Sequence, residues 1–129
     1  MPISYTIESS RGLIFTTASD SLTVDELLAH KAALLGDERF RPGFRELSDV
    51  RGVSGLDLGF AEMRRLANFD LEHRAELGGY RLALVVPEAF MFGLARMYQQ
   101  ITEDNLPEVG VFRSIEEAAG WLGIAAAEE

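Results

Sequence analysis

The stretch Arg81-Leu82-Ala83-Leu84-Val85-Val86, closed by Pro87, decides the fold. Five consecutive apolar residues leave the segment no polar face. A half-solvated strand would alternate, so this run fits a strand buried on both sides, as in a parallel sheet flanked by helices. Upstream, Phe60, Met63, Ala67 and Leu71 recur at steps of three and four, which predicts a helix ending at Gly78-Gly79. Before it, Phe44 to Val50 reads as a strand. The two glycines within Arg51 to Gly55 predict a strand-to-helix turn, and Asp57 is the expected N-cap. Thr23 followed by Glu26 forms a capping box that opens an earlier helix, carried by Leu27, Leu28, Leu34 and Leu35 and ending near Gly36. At the start, Tyr5, Ile7 and Ser9 alternate with polar residues, Ser10-Arg11-Gly12 turns, and Leu13 to Thr17 is rich in β-branched residues: a hairpin.

Downstream of Pro87, a third helix is expected from about Ala89 to Thr102, then a loop from Asp104 to Pro107 and a strand from Val109 to Phe112. Ser114 and Glu117 form a second capping box before Ile115, Ala118, Ala119 and Leu122, the apolar stripe of a last helix. The order is β-β-α-β-α-β-α-β-α. It defines an α/β fold in one domain, 1–129, with a mixed five-stranded sheet flanked by four helices and a frayed tail from 124 to 129. In such folds, ligands and partners meet the loops at the carboxyl ends of the strands.

Composition excludes several function classes. The chain has no cysteine, so disulfides, zinc-thiolate sites and cysteine nucleophiles are ruled out. Its 12 Lys and Arg against 21 Asp and Glu give a formal net charge of -9, which opposes binding to a phosphate backbone; no nucleic-acid partner is expected. Met1-Pro2-Ile3-Ser4 lacks the basic start and apolar stretch of a signal peptide, and Leu82 to Ala95 is interrupted by Pro87 and Glu88 and is shorter than a membrane span of roughly 20 residues. A cytoplasmic location, with contact at a membrane surface still open to it, is the expectation.

The phrase Asp49-Val50-Arg51-Gly52-Val53-Ser54-Gly55-Leu56-Asp57, with Gly93-Leu94-Ala95-Arg96-Met97, Val111 to Ala118 and Trp121-Leu122, resembles the SpoIIAA-like family. The resemblance runs from about Tyr5 to Leu122. It implies a topology related to the STAS domain of anti-sigma factor antagonists and sulfate transporters, and to the CRAL-TRIO lipid-exchange domains. Two roles follow from it. STAS-type antagonists carry a phosphorylatable serine at the start of the helix after the third strand, within an Asp-Ser-Ser-Gly pattern. Here Asp49 and Asp57 match the aspartates, but Leu58 and Gly59 stand where the serines would be. The resemblance therefore implies a protein-interaction surface at Asp49, Asp57, Leu58 and Gly59 without a phosphate switch. The CRAL-TRIO likeness implies instead an apolar ligand or lipid.

The residues offer support for the second role. From Ala89 to Tyr98 the third helix is apolar almost all round, with Phe90, Leu94, Met97 and Ile101 on one face and Met91, Phe92, Ala95 and Tyr98 on others. A helix on a sheet needs only one apolar stripe. The surplus is met by a packed core, by a homodimer, or by a ligand site lined by Phe90, Met91, Leu94, Met97 and Tyr98. Gly93 suggests a close approach or a kink.

Other constellations have ordinary readings. Asp49 and Asp57 read as a turn residue and an N-cap before they read as a metal or acid-base pair. Asp70-x-x-His73-x-x-Glu76 reads as a solvated helix face, since its spacing gives an incomplete metal shell. Gly52-Val53-Ser54-Gly55 lacks the lysine of a P-loop. Arg39, Arg41, Arg45, Arg51 and Arg64-Arg65 either pair with the excess carboxylates or converge on an acidic partner or lipid headgroups. The reading is a non-enzymatic binding module without cofactor, catalytic residues or metal, for an apolar small molecule or lipid, with a protein-interaction regulator as the alternative.

Overall fold

A computed structural model describes residues 3–57, 59–86, 92–93, 95–97, 99 and 108–124. Strand β1 (Ile3–Glu8) turns into β2 (Leu13–Thr23), and α1 (Val24–Leu35) leads to β3 (Arg45–Asp57). Helix α2 (Phe60–Glu72), the short α3 (Arg74–Leu77) and β4 (Arg81–Val85) follow, then β5 (Glu108–Phe112) and α4 (Ile115–Leu122). Between β4 and β5, Phe92, Gly93, Ala95, Arg96, Met97 and Gln99 are helical. The five strands lie in chain order, β1 antiparallel to β2 and every other pair parallel.

That order dictates the layers. Parallel strands that advance in one direction, joined by crossovers of one hand, carry all their crossover helices on one face. Accordingly, α1 and α2 pack through Leu34, Met63 and Leu66 on Ile14, Leu82 and Val109. Among the described residues, α4, which follows the last strand, covers the opposite face, where Ile115, Ala118 and Leu122 meet Leu47, Ala83 and Val85. Residues of β4 thus alternate between two buried layers. Ala83 and Val85 are 0% exposed and Leu82 is buried too, as the continuous apolar run requires.

Of the two expected capping boxes, Thr23 and Glu26 form a complete one, while at Ser114 the Glu117 carboxylate accepts from the hydroxyl instead of the Ser114 amide. The Thr23 hydroxyl accepts from the Glu26 amide at 3.2 Å while Glu26 Oε1 accepts from the Thr23 amide at 2.9 Å. The Ser114 hydroxyl accepts from the Glu117 amide at 3.2 Å.

Four boundaries differ from the sequence expectation. Residues 51–55 are not a turn: β2 and β3 continue together to Thr23 and Asp57. Gly52 and Gly55 lie inside β3 at two register shifts opposite β2. A Cβ on Gly52 would sit 3.2 Å from the Ala18 carbonyl oxygen, and one on Gly55 would sit 3.1 Å from Ser21 Oγ, so glycine here permits close strand approach rather than chain reversal. Asp57 is consequently the end of a strand, and Gly59 is the N-cap of α2, its amide donating to Glu62 Oε1 at 2.8 Å. The second helix breaks at His73, whose ring nitrogen Nδ1 bonds the Phe69 carbonyl oxygen at 2.8 Å. Ile124, expected to fray, packs against the α4 layer and its amide donates to the Ala119 carbonyl at 2.9 Å. Residues 125–129 of that tail lie outside the described residues.

The α4 face also depends on a small residue. The Trp121 ring lies 5.5 Å from that of Phe112 and under the Arg81 guanidinium, 4.1 Å away; Arg81 is in turn held by Glu108 at 2.7 Å. A Cβ on Gly110 would come within 2.7 Å of the Phe112 ring and 3.2 Å of Trp121. Gly110→Val is therefore expected to lower stability by about 1–3 kcal/mol through overpacking, and to shift the emission of the single tryptophan, measured by urea denaturation followed in Trp fluorescence.

Candidate functional site

Residues that neighbour the two surfaces singled out in the sequence pack together at the carboxyl end of the parallel strands. Val50 and Val53 of β3, Leu22 of β2, Val86 beyond β4, and Phe92 and Ala95 from the helical residues before β5 share one hydrophobic cluster with Ala18. The Gln99 amide donates to the Val109 carbonyl and ties the helical residues to β5. Met97, next to the inward-turned Ala95, is 37% exposed. Phe90, Met91, Leu94 and Tyr98 lie outside the described residues, as does Leu58. Gly93 makes no close approach: a Cβ there would meet nothing within 4 Å.

Asp49 is partly buried on the α4 face of β3 and is bound twice by the Arg51 guanidinium, at 2.9 Å each. Those bonds hold its carboxyl below the ordinary carboxylate range, with burial opposing them. Gly59 is exposed, and the backbone of Asp57 pairs with Thr23. Asp49 and Gly59 thus flank the far stretch of β3. There, β1 pairs with β2 only to Ala18, and β4 pairs with β3 only to Asp49. Among the described residues, the last part of β2 and β3 is a two-stranded parallel ribbon standing beyond the sheet.

The arginines of the first half do not converge. Arg39 binds Asp37, Arg51 binds Asp49 and Arg65 binds Asp25, while Arg41 and Arg45 donate to backbone carbonyls.

A second cluster was not singled out in the sequence. Glu46, in the middle of β3, is 4% exposed and faces α1. Its carboxylate accepts from the Thr16 hydroxyl at 2.6 Å, from His30 Nε2–H at 3.3 Å, and from the Tyr80 hydroxyl. The next residue of α1, Lys31, donates to Asp70 of α2 at 3.0 and 3.3 Å. Asp70 is 2% exposed, so the expectation of a solvated Asp70–Glu76 face fails at its first residue; Glu76 is exposed. Consecutive residues of α1, His30 and Lys31, therefore reach two buried carboxylates, one on the sheet and one on α2. Between them is a cavity of about 20 Å³ bordered by Lys31, Leu34, Glu46, Phe69, Asp70 and Tyr80, room for about one water molecule. Among the described residues no buried side-chain nitrogen or oxygen lacks a partner. The cluster is a clamp that holds α1 and α2 against the sheet.

A signal for it did exist. A charged residue inside a strand flanked by parallel neighbours has no route to water, so Glu46 had to be paired. Which groups pair with it depends on how α1 lies on the sheet, and that is not local.

Among the described residues, no three His, Asp or Glu side chains converge with metal-binding geometry, and no helix is long and apolar enough to cross a membrane.

The molecule is an α/β domain with a five-stranded mixed sheet and the SpoIIAA-like fold. Among solved structures it is similar to that of an uncharacterized protein of the DUF3478 family, with a SpoIIAA-like fold, from Shewanella loihica PV-4. The TM-score is 0.57 with 20% sequence identity, over 93% of each chain, a likeness that shows the fold. No protein-family model and no curated protein matches the chain.

Proposed function

We propose that the protein is a non-enzymatic binding module that takes an apolar ligand or lipid at the carboxyl end of its parallel strands, at a membrane surface, with residues 90–98 as the contact wall. One observation carries this reading: Met97 is exposed on the same helical stretch whose Phe92 and Ala95 already fill the cluster beneath it. The stretch thus has apolar residues on its inner and its outer side, where ligands of such sheets are met. The lipid part of the reading leans on the resemblance to CRAL-TRIO domains. The His30–Glu46 cluster supports the non-enzymatic part, since its cavity has room for about one water molecule and its groups are committed to each other.

Native mass spectrometry of the freshly purified protein, followed by organic extraction, tests it. A retained apolar mass, or association with vesicles, is expected for the wild type. Met97→Asp is expected to weaken either one at least tenfold with unchanged circular dichroism, because a buried carboxylate costs more than about 1.4 kcal/mol. A wild type that retains nothing and ignores vesicles sinks the reading. Light scattering on the same sample separates an apolar face covered in a homodimer from one covered by ligand.

A second reading, a STAS-type protein-interaction regulator acting at Asp49, Asp57, Leu58 and Gly59, is favoured by the β2–β3 ribbon. Its strands pair with each other beyond the reach of β1 and β4, which leaves backbone edges for a partner strand.

A further inference from the structure

Two arginines from different parts of the chain converge on one aromatic ring at this end of the molecule. Arg96, on the helical stretch before β5, has its guanidinium carbon 5.8 Å from the Phe92 ring centroid. Arg113, in the turn between β5 and α4, has its own at 5.0 Å. Both side chains are exposed. Arg11, Arg39, Arg51, Arg65 and Arg81 each bind a carboxylate, but neither Arg96 nor Arg113 forms an ion pair with a described carboxylate. In a chain of formal net charge -9, acidic side chains are in excess, so two arginines on one ring without a described carboxylate partner are unexpected. The Phe92 ring attracts each cation but neutralises neither. An external anion at the guanidinium edges would supply the counter-charge that the described residues do not. A guanidinium lying on a ring also keeps its N–H edge free for phosphate oxygens. The Glu117 carboxylate, nearby at the start of α4, accepts from the Ser114 hydroxyl at 3.2 Å.

We infer that Arg96 and Arg113, stacked about Phe92, form a recognition site for the phosphate of an acidic lipid headgroup at a bilayer surface, with Met97 entering the acyl boundary beside it. The inference rests on the lipid-binding reading above and gives it a headgroup class. A lipid headgroup, rather than a soluble phosphate, is indicated because the exposed apolar Met97 adjoins Arg96 in the chain. The rest of the negative charge does not forbid the approach, since interactions are screened beyond about 8 Å at physiological ionic strength.

Co-sedimentation of the full chain with vesicles of phosphatidylcholine alone, and of phosphatidylcholine containing phosphatidylglycerol, tests the site. The wild type is expected to prefer the acidic vesicles, and added salt is expected to weaken that preference. Arg96→Gln and Arg113→Gln should each lower the partition about fivefold, and the double variant correspondingly more, at about 1 kcal/mol for each basic residue at an anionic surface. Arg74→Gln, the same charge change on an exposed residue of α3, should leave it nearly unaltered. A double variant that keeps the full preference for acidic vesicles overturns the site. Equal binding of the wild type to both vesicle types overturns the anionic headgroup and leaves the lipid reading standing, whereas no binding to either overturns the headgroup site and the membrane-surface part of that reading, whose retained-ligand part native mass spectrometry tests separately. Inorganic phosphate at millimolar concentration that releases the wild type completely from acidic vesicles overturns the bilayer source in favour of a soluble anion.

Discussion

Glu46→Ala will lower the unfolding free energy by about 3 kcal/mol at neutral pH. The loss does not come from the carboxylate's own bonds. Removing it strands the Thr16 and Tyr80 hydroxyls and the His30 ring without their acceptor, in the buried interior. A buried donor left unmade costs about 1–3 kcal/mol, and here three share one acceptor group, so their losses overlap rather than add. Urea denaturation measures the change; a loss below about 1 kcal/mol would mean that water replaces the carboxylate and that the cluster does not clamp α1.

The acid limb of the same experiment has a defined sign. Burial pushes the Glu46 carboxyl up, but hydrogen bonding and the charge of His30, with bonds from Thr16 and Tyr80, together bring it below its ordinary value of 4.5. A depressed folded-state value means stability that is present above the unfolded-state value and is lost as pH falls through the folded one. Glu46→Gln should therefore flatten this part of the acid limb, narrowing its deficit against the wild type as pH drops. Tyr80 stays a donor throughout, since burial and the neighbouring Glu46 carboxylate raise its hydroxyl well above 10.0.

Lys31→Met will cost about 2 kcal/mol at neutral pH, and its cost will shrink in acid. Asp70 is the opposite case to Glu46 although both border one cavity. Burial raises its carboxyl above the ordinary 3.8, and Lys31 offsets only part of that rise. For a raised carboxyl the charged form is penalised in the folded protein, and the penalty is relieved as pH falls through the folded-state value. Without Lys31 the penalty at neutral pH grows, and protonation of Asp70 removes it. Denaturation of wild type and variant at neutral and at mildly acid pH checks this; a pH-independent difference would assign the loss to packing of the lysine stem instead.

How far these features could be read in the chain follows from the range of the forces behind them. The order of elements, the Thr23–Glu26 capping box and the Ser114 N-cap were legible because the pairs involved are three residues apart or less, or repeat with the period of their own element. The stretch 51–55 was misread for an instructive reason. Glycine breaks a chain locally, and nothing local says that Ala18 and Ser21 stand close enough to require it in a strand. The same limit applied at the candidate site. Met97 and the apolar surplus around it were visible as composition. That Arg96 and Arg113 reach one ring was not, because they are separated by the whole of β5.

By itself, the sequence determined an α/β domain with an opening hairpin, a strand buried on both sides and no thiol chemistry, since periodicity, caps and composition are properties of short windows. The tertiary structure alone decided which carboxylates are buried, that α1 reaches Glu46 and Asp70 through neighbouring residues, and that the ends of β2 and β3 run on as a ribbon. Those outcomes depend on where elements far apart in the chain are laid against each other. Burial and charge pairing are set by that placement, and no local pattern encodes it.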